Sequence, residues 1–269
     1  MITVVADKFT GKLERVGQFA QFARRAFTSS FFSCFRPTIV PLVLTQMFII
    51  GVRSVPVVMI TGAFVGMTLA VQAYDQLAYL GIEERLGALI NVTGVKELGP
   101  VLAAMMLAGR VGGALTAELG TMKVTEQIEA VKSMGIDPVC YIVAPRVLAC
   151  LLLAPVLIIY ADLLCSLGGY FVSVYNLGIA GKPYWDYSAS VVELWDIMVG
   201  IVKGFFFGAA IAVISCYKGF TCENGAQGVG KACTEAFVAS FITILALDFM
   251  LVVIFKAIYN TIWPLKSMF

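Results

Sequence analysis

Residues 147–181 read VLACLLLAPVLIIYADLLCSLGGYFVSVYNLGIAG, and Asp162 is their one charged residue. About 20 consecutive apolar residues suffice for a helix to cross the hydrocarbon of a bilayer. A helix satisfies its own backbone polar groups there, where water is absent. This stretch alone therefore makes the chain a membrane protein, and the composition agrees. The 269 residues are 60% hydrophobic and 13% charged, with a mean hydropathy of +0.91. Soluble domains run at about 45–50% apolar and about 25% charged. A soluble enzyme, a disordered chain and a nucleic-acid binder are excluded. The chain has no histidine, which removes the Ser-His-Asp triad, His-ligated zinc or haem, HExxH proteases and histidine proton relays.

Working outward, the same reading finds four more spans. Residues 54–74 are uncharged; 98–117 are broken only by Arg110; 197–217 hold Lys203; 236–262 hold Asp248 and Lys256. The fold class is an all-α polytopic membrane protein with five transmembrane helices. Segments 75–97, 118–146, 182–196 and 218–235 read as loops between them, and Tyr184, Trp185, Tyr187 and Trp195 give the third an interfacial character. Ahead of the spans, residues 1–53 form one segment and residues 54–262 the five-span domain. Leu13, Val16, Phe19, Ala20, Ala23 and Phe27 recur at helical spacing beside Lys8, Lys12, Arg15, Arg24 and Arg25. That pattern predicts an amphipathic helix lying in the membrane interface. Residues 38–51 are apolar but too short to cross, and read as a re-entrant or interfacial piece leading into span one. Lys and Arg crowd the N-terminal segment, including Arg36 and Arg53, and recur as Lys123, Lys132, Arg146, Lys218 and Lys231 in the second and fourth loops. Arg85, Lys96 and Lys182 are all that the opposite loops hold. The positive-inside bias places the N-terminus in the cytoplasm and the C-terminus outside.

Several constellations could carry function. In residues 124–135, Val124, Ile128, Val131 and Met134 form one apolar stripe. Thr125 can cap the start, Glu126 and Glu129 suit the positive end, and Gly135 with Pro138 stops the helix. Such a short helix must dock on something, either a groove in a cytoplasmic partner or this chain's own cytoplasmic ends. Charges within spans are costly in hydrocarbon and face a bundle interior or cavity. At 1.5 Å per residue Lys203 lies roughly 9 Å from the outer end of span four, and Asp248 roughly 18 Å from the inner end of span five. With Glu97 and Lys96 at the outer end of span two, a cluster in the outer half is allowed. It either lines a substrate cavity, the favoured reading, or locks helices together; Asp162 reads as structural. Gly200, Gly204 and Gly208, with Gly62 and Gly66 and the group Gly109, Gly112 and Gly113, form small-residue stripes for close helix contact. Gly225–Lys231 imitates a phosphate loop, but Ala232 follows Lys231 and no strand precedes it, so it reads as a turn into span five. The seven cysteines, Cys34, Cys140, Cys150, Cys165, Cys216, Cys222 and Cys233, show no CxxC spacing and read as small apolar residues rather than metal ligands.

One block is more specific than any of these. Glu97-Leu98-Gly99-Pro100-Val101-Leu102, Leu107-Ala108-Gly109-Arg110-Val111-Gly112, Ala117 to Ile128 (AELGTMKVTEQI), Met134-Gly135-Ile136-Asp137-Pro138 and Pro145-Arg146 resemble the signature of MlaE-type permeases. These are the membrane subunits of ABC transporters that work with MCE-domain lipid-binding proteins. Weaker likeness extends over residues 45–255, and Gln227 departs from it where an acidic residue is expected. The resemblance implies a homodimer in a bacterial inner membrane, with a separate ABC ATPase carrying ATP and magnesium, no cofactor on this chain, a periplasmic MCE assembly above and a phospholipid substrate. Coupling would run through Glu118, Thr125, Glu126, Ile128, Glu129, Val131 and Met134. Spans one, two and five would line a lipid cavity, for which Val65, Leu69, Gln72, Tyr79, Lys96, Glu97, Lys203 and Asp248 are the candidates. The alternative is an ion-gradient-driven transporter using Glu97, Asp162 or Asp248. An intramembrane aspartyl protease lacks its motifs, since Tyr160-Ala161-Asp162 and Leu247-Asp248 miss both.

Overall fold

A computed structural model describes residues 2–33 and 39–262. Cys34, Arg36 and the side chains of Lys8, Lys12, Leu13 and Arg15 lie outside the described residues. Among the described residues, five helices are long and apolar enough to cross a membrane: Val40–Tyr79, Glu83–Val124, Val139–Tyr175, Leu194–Thr221 and Ala226–Ile262. They are spans one to five. A helix at Ile2–Ser33 precedes them, a short helix Gln127–Ser133 links spans two and three, and Gly181–Val191 links spans three and four. We call the end of the bundle that holds Gly181–Val191 the upper end, and the end that holds Gln127–Ser133 the lower end.

The helices are longer than their apolar runs. Residues 38–51 do not form a separate piece: from Val40 they are the first turns of span one. Most of the 75–97 segment is helix too, because Leu86–Thr93 continues into span two. The 182–196 segment is helical over Gly181–Val191, and only the turn around Gly225, at φ +92°, separates spans four and five. At 42 residues span two measures roughly 63 Å along its axis, about twice the hydrocarbon thickness.

Such long helices are interrupted by π-helical turns at Phe48–Val52, Gly94–Leu98, Ala108–Gly112 and Val139–Val143. Three of these have a common cause. Proline has no N–H to give to the carbonyl four residues earlier, and its ring crowds that carbonyl. Pro56, Pro100 and Pro145 place the affected carbonyl at Val52, Lys96 and Tyr141, each inside one of the turns. A π-turn widens the helix and relieves the clash.

Span three is the axis of the bundle, with its most extensive contacts to spans one and four. The glycine stripes make this possible. Gly62 faces the backbone of Ala161, Gly66 that of Cys165, and Gly168 that of Ala63; on the other side Gly204 faces Pro155 and Gly208 faces Cys150. Helix backbones touch where any Cβ would intrude, as the small-residue reading expects. Asp162 is held in the same packing, its carboxyl against Gly99. Leu119, Leu157, Ile158, Phe207 and Ile211 fill the core between these contacts. Cys150, Cys165, Cys216 and Cys222 are buried within the packing.

The N-terminal helix packs onto the lower end through Phe19 and Phe22. Their rings lie 5.2 and 5.5 Å from that of Tyr217, and Ala26 is fully buried beneath them. Arg24 and Arg25 point away, exposed. At the upper end the Gly181–Val191 helix is pinned by Tyr184, which donates to the Ser166 carbonyl at 3.0 Å, and by Asn91, which donates to Ser188 Oγ at 2.7 Å.

Candidate functional site

The proline logic builds the site. Pro100 leaves the Lys96 carbonyl without its helical donor. Lys203 Nζ replaces that donor at 2.9 Å, reaching across from span four. The same ammonium lies 2.9 Å from Glu97 Oε2 and 2.9 Å from Asp248 Oδ1 of span five. Its side chain is 1% exposed, those of Glu97 and Asp248 42% and 17%. A buried lysine survives in such a place only with charged partners and a full set of acceptors. Spans two, four and five are therefore tied at one atom, and the cluster of Glu97, Lys203 and Asp248 read from the sequence forms.

A second pair extends it upward. Lys96 Nζ lies 3.0 Å from Asp196 Oδ1, whose side chain is nearly buried. Asp196 Oδ2 accepts from the Glu193 N–H at 3.1 Å, and the Glu193 carboxylate accepts from the start of the helix, a reciprocal capping box at the head of span four. Tyr259 donates to Glu193 Oε2 at 3.3 Å and stacks at an angle on Trp195. Together these residues, with Lys203, Lys256 and Phe255, line a cavity of about 350 Å³ open at the upper end. Glu193, Asp196 and Tyr259 were not singled out by sequence reasoning, which noted Trp195 only as an interfacial aromatic and Lys256 only as a charge within span five. The one available signal was the Glu193-to-Asp196 spacing, which matches a helix start.

Val65, Leu69 and Gln72 are brought together elsewhere. They line a separate apolar groove of about 460 Å³ along span one, with Ile60, Phe64 and Leu98. Tyr79 is 91% exposed beyond both. The last three residues of the π-turn divide between the two: Lys96 and Glu97 line the polar cavity and Leu98 lines the groove.

The lower end places the linking segment. Ile128 is buried in this chain's own core and Val131 packs against it, whereas Met134 is 73% exposed. The stripe therefore docks on its own bundle at its middle and leaves it at Met134, where Gly135 turns the chain at φ +77°. Thr125 does not cap the helix. Its hydroxyl donates to the Thr121 carbonyl at 2.8 Å as the last turn of span two, and Glu126 holds the cap position at φ 59°. Glu126 and Glu129 are exposed. Glu118 pairs with Arg146 at 3.2 Å, joining spans two and three. Lys123 Nζ donates to the Cys222 carbonyl at 2.7 Å, joining span two to the turn before span five. Arg110 is accounted for by a 2.6 Å hydrogen bond to Ser54 Oγ.

Comparison with known proteins gives a consistent picture. A family model described as Permease MlaE matches residues 43–254. A probable ABC transporter permease protein of Rickettsia typhi is 38% identical over 238 residues, covering 88% of this chain and 91% of the relative. The intermembrane phospholipid transport system permease protein MlaE of Haemophilus influenzae is 36% identical over 215 residues, 80% of this chain and 82% of that one. The chloroplastic protein TRIGALACTOSYLDIACYLGLYCEROL 1 of Arabidopsis thaliana is 36% identical over 201 residues, 75% of this chain and 57% of that one.

Proposed function

The chain belongs to the MlaE permease family, and from that premise we propose that it is the membrane-spanning subunit of an ABC-type transporter that moves phospholipid, with ATP hydrolysed on a separate subunit. The observation that carries the reading is the pairing of a charged cavity with an apolar groove on the two sides of one π-turn, residues 94–98. A phospholipid has the same division into a charged head and apolar chains. The cavity offers charged partners to a headgroup, and the groove offers apolar wall to a chain.

In this reading the membrane is the bacterial inner membrane, the lower end is cytoplasmic and the upper end periplasmic. The lower end presents Glu126, Glu129 and Met134 to the ATPase, while Ile128 anchors the segment to span two. Movement of the segment then pulls directly on span two, which carries Lys96 and Glu97 at its other end. Span five supports a second copy of the chain as partner. Only 17% of its most apolar window is buried against 61% for span four, and Phe249 and Met250 stand outward. An MCE-domain protein would dock at the upper end.

The test is a pull-down of the tagged chain in mild detergent, with protein and lipid identified in one eluate. An ABC ATPase and phospholipid are expected; a lone permease without ATPase would overturn the reading. Met134→Glu should abolish ATPase recovery and leave the chain's thermal stability nearly unchanged, because the residue is 73% exposed. Ile128→Glu should lower that stability, as it buries a charge. Orientation is checked by cysteine labelling of intact cells: Asp186→Cys should react with an impermeant reagent and Glu126→Cys should not.

A further inference from the structure

We propose that Lys256 is the phosphate-binding residue of the upper cavity, and that the cavity prefers the headgroup of a zwitterionic phospholipid. The inference rests on the lipid-transport reading above and names the headgroup chemistry.

The argument is one of charge. The cavity is lined by Lys96, Lys203 and Lys256 and by Glu97, Glu193 and Asp196. Two of the three lysines are already matched. Lys203 is held between Glu97 and Asp248 at 2.9 Å each, and Lys96 by Asp196 at 3.0 Å. Lys256 has no ion pair among the described residues, and its side chain is exposed at the cavity wall. An ammonium beside apolar walls attracts an anion, since pairing offsets the loss of water. Lys256 lies six residues before the end of span five at Ile262, roughly 9 Å along the helix. Trp195 and Tyr259 line the same cavity, their ring centroids 6.0 Å from each other. Aromatic rings of this kind mark the depth of headgroups. A phosphodiester at that depth meets Lys256 first.

The rest of the lining selects the remainder of the headgroup. The three cations and three carboxylates of the wall balance, and Asp248 behind Lys203 adds one more negative charge. A headgroup with net negative charge would deepen that excess. One carrying an amine beside its phosphate leaves the balance unchanged. Glu97 is the carboxylate available to the amine: its Oε2 pairs with Lys203, and its side chain is 42% exposed in the lining of the cavity.

The experiment uses the full-length chain in complex with its ATPase, delipidated in detergent and titrated separately with phosphatidylethanolamine, phosphatidylglycerol and diacylglycerol. Bound lipid is counted by native mass spectrometry. The wild type should bind phosphatidylethanolamine most tightly. Lys256→Gln should weaken it about tenfold, the size of one charge-assisted hydrogen bond, and leave diacylglycerol unchanged, while Lys256→Arg should keep it. Equal binding of phosphatidylethanolamine by wild type and Lys256→Gln would overturn the phosphate role and leave lipid transport standing. Equal loss of all three lipids in Lys256→Gln would overturn it too, by making Lys256 structural. Phosphatidylglycerol binding as tightly as phosphatidylethanolamine would overturn the zwitterionic preference. A wild type that binds none of the three would sink the lipid-transport reading itself.

Discussion

Lys203→Ala is expected to lower the chain's stability in detergent by about 3–5 kcal/mol, the range for removing one partner of a buried ion pair, and to abolish transport. The side chain is 1% exposed and answers three acceptors on two other spans. Without it the Lys96 carbonyl, already deprived of its α-helical donor by Pro100, loses the ammonium that replaces that donor. Asp248, 17% exposed, faces Glu97 with nothing between them. Glu97→Gln should behave differently. Its carboxylate is 42% exposed, so water takes up part of the loss, and stability should fall by about 1 kcal/mol or less. Transport should still fall severalfold, because an amide neither holds Lys203 as firmly nor attracts a cationic group. The double change Lys203→Met with Asp248→Asn removes both buried charges together. It should regain most of the stability and none of the transport. Thermal unfolding of the complex, read beside lipid transport, separates the two contributions. An unchanged melting temperature for Lys203→Ala would contradict the account.

Gly66→Leu should be the most damaging substitution in the bundle. Any side chain at Gly66 meets the carbonyl and backbone of Cys165, not a flexible side chain that could turn aside. Overpacking of cores costs typically about 1–3 kcal/mol when neighbours can adjust. Here spans one and three must separate, and Gly62 and Gly168 repeat the contact on either side. The loss should reach or exceed the top of that range, and the chain should not be recovered folded. Gly113→Leu is the control. That glycine has open space around its missing Cβ, so the variant should be recovered at wild-type yield. Comparable yields of both variants would mean that span three is not the axis on which the bundle is built.

The spans were legible because hydropathy needs only length, and residues 147–181 supply it. The charged cluster was legible because Glu97, Lys203 and Asp248 are costly anywhere else in a membrane and fall at compatible depths. Other features were hidden for physical reasons. Leu86–Thr93 is apolar but shorter than a span, and Glu83, Glu84 and Arg85 beside it suggested a loop. The π-turns leave no trace in a hydrophobic pattern, since an added residue shifts the register without changing composition. Pro56, Pro100 and Pro145 were the signal for three of the four, through the carbonyl each leaves behind. The pairing of Lys96 with Asp196 was hidden because Asp196 read as the end of the loop 182–196, whereas it sits in the first turn of span four. In the linking segment, periodicity correctly gave Ile128 an inward face. It extended the same face to Met134, which lies just past the last helical residue, Ser133, and is exposed.

The most direct measurement is transport itself. The chain with its ATPase is reconstituted into vesicles, and movement of fluorescent phosphatidylethanolamine to an external acceptor is followed with ATP, without ATP, and with a proton or sodium gradient in place of ATP. The account predicts movement that requires ATP and the ATPase and is lost in Met134→Glu. Movement driven by an ion gradient with no ATPase present would contradict it.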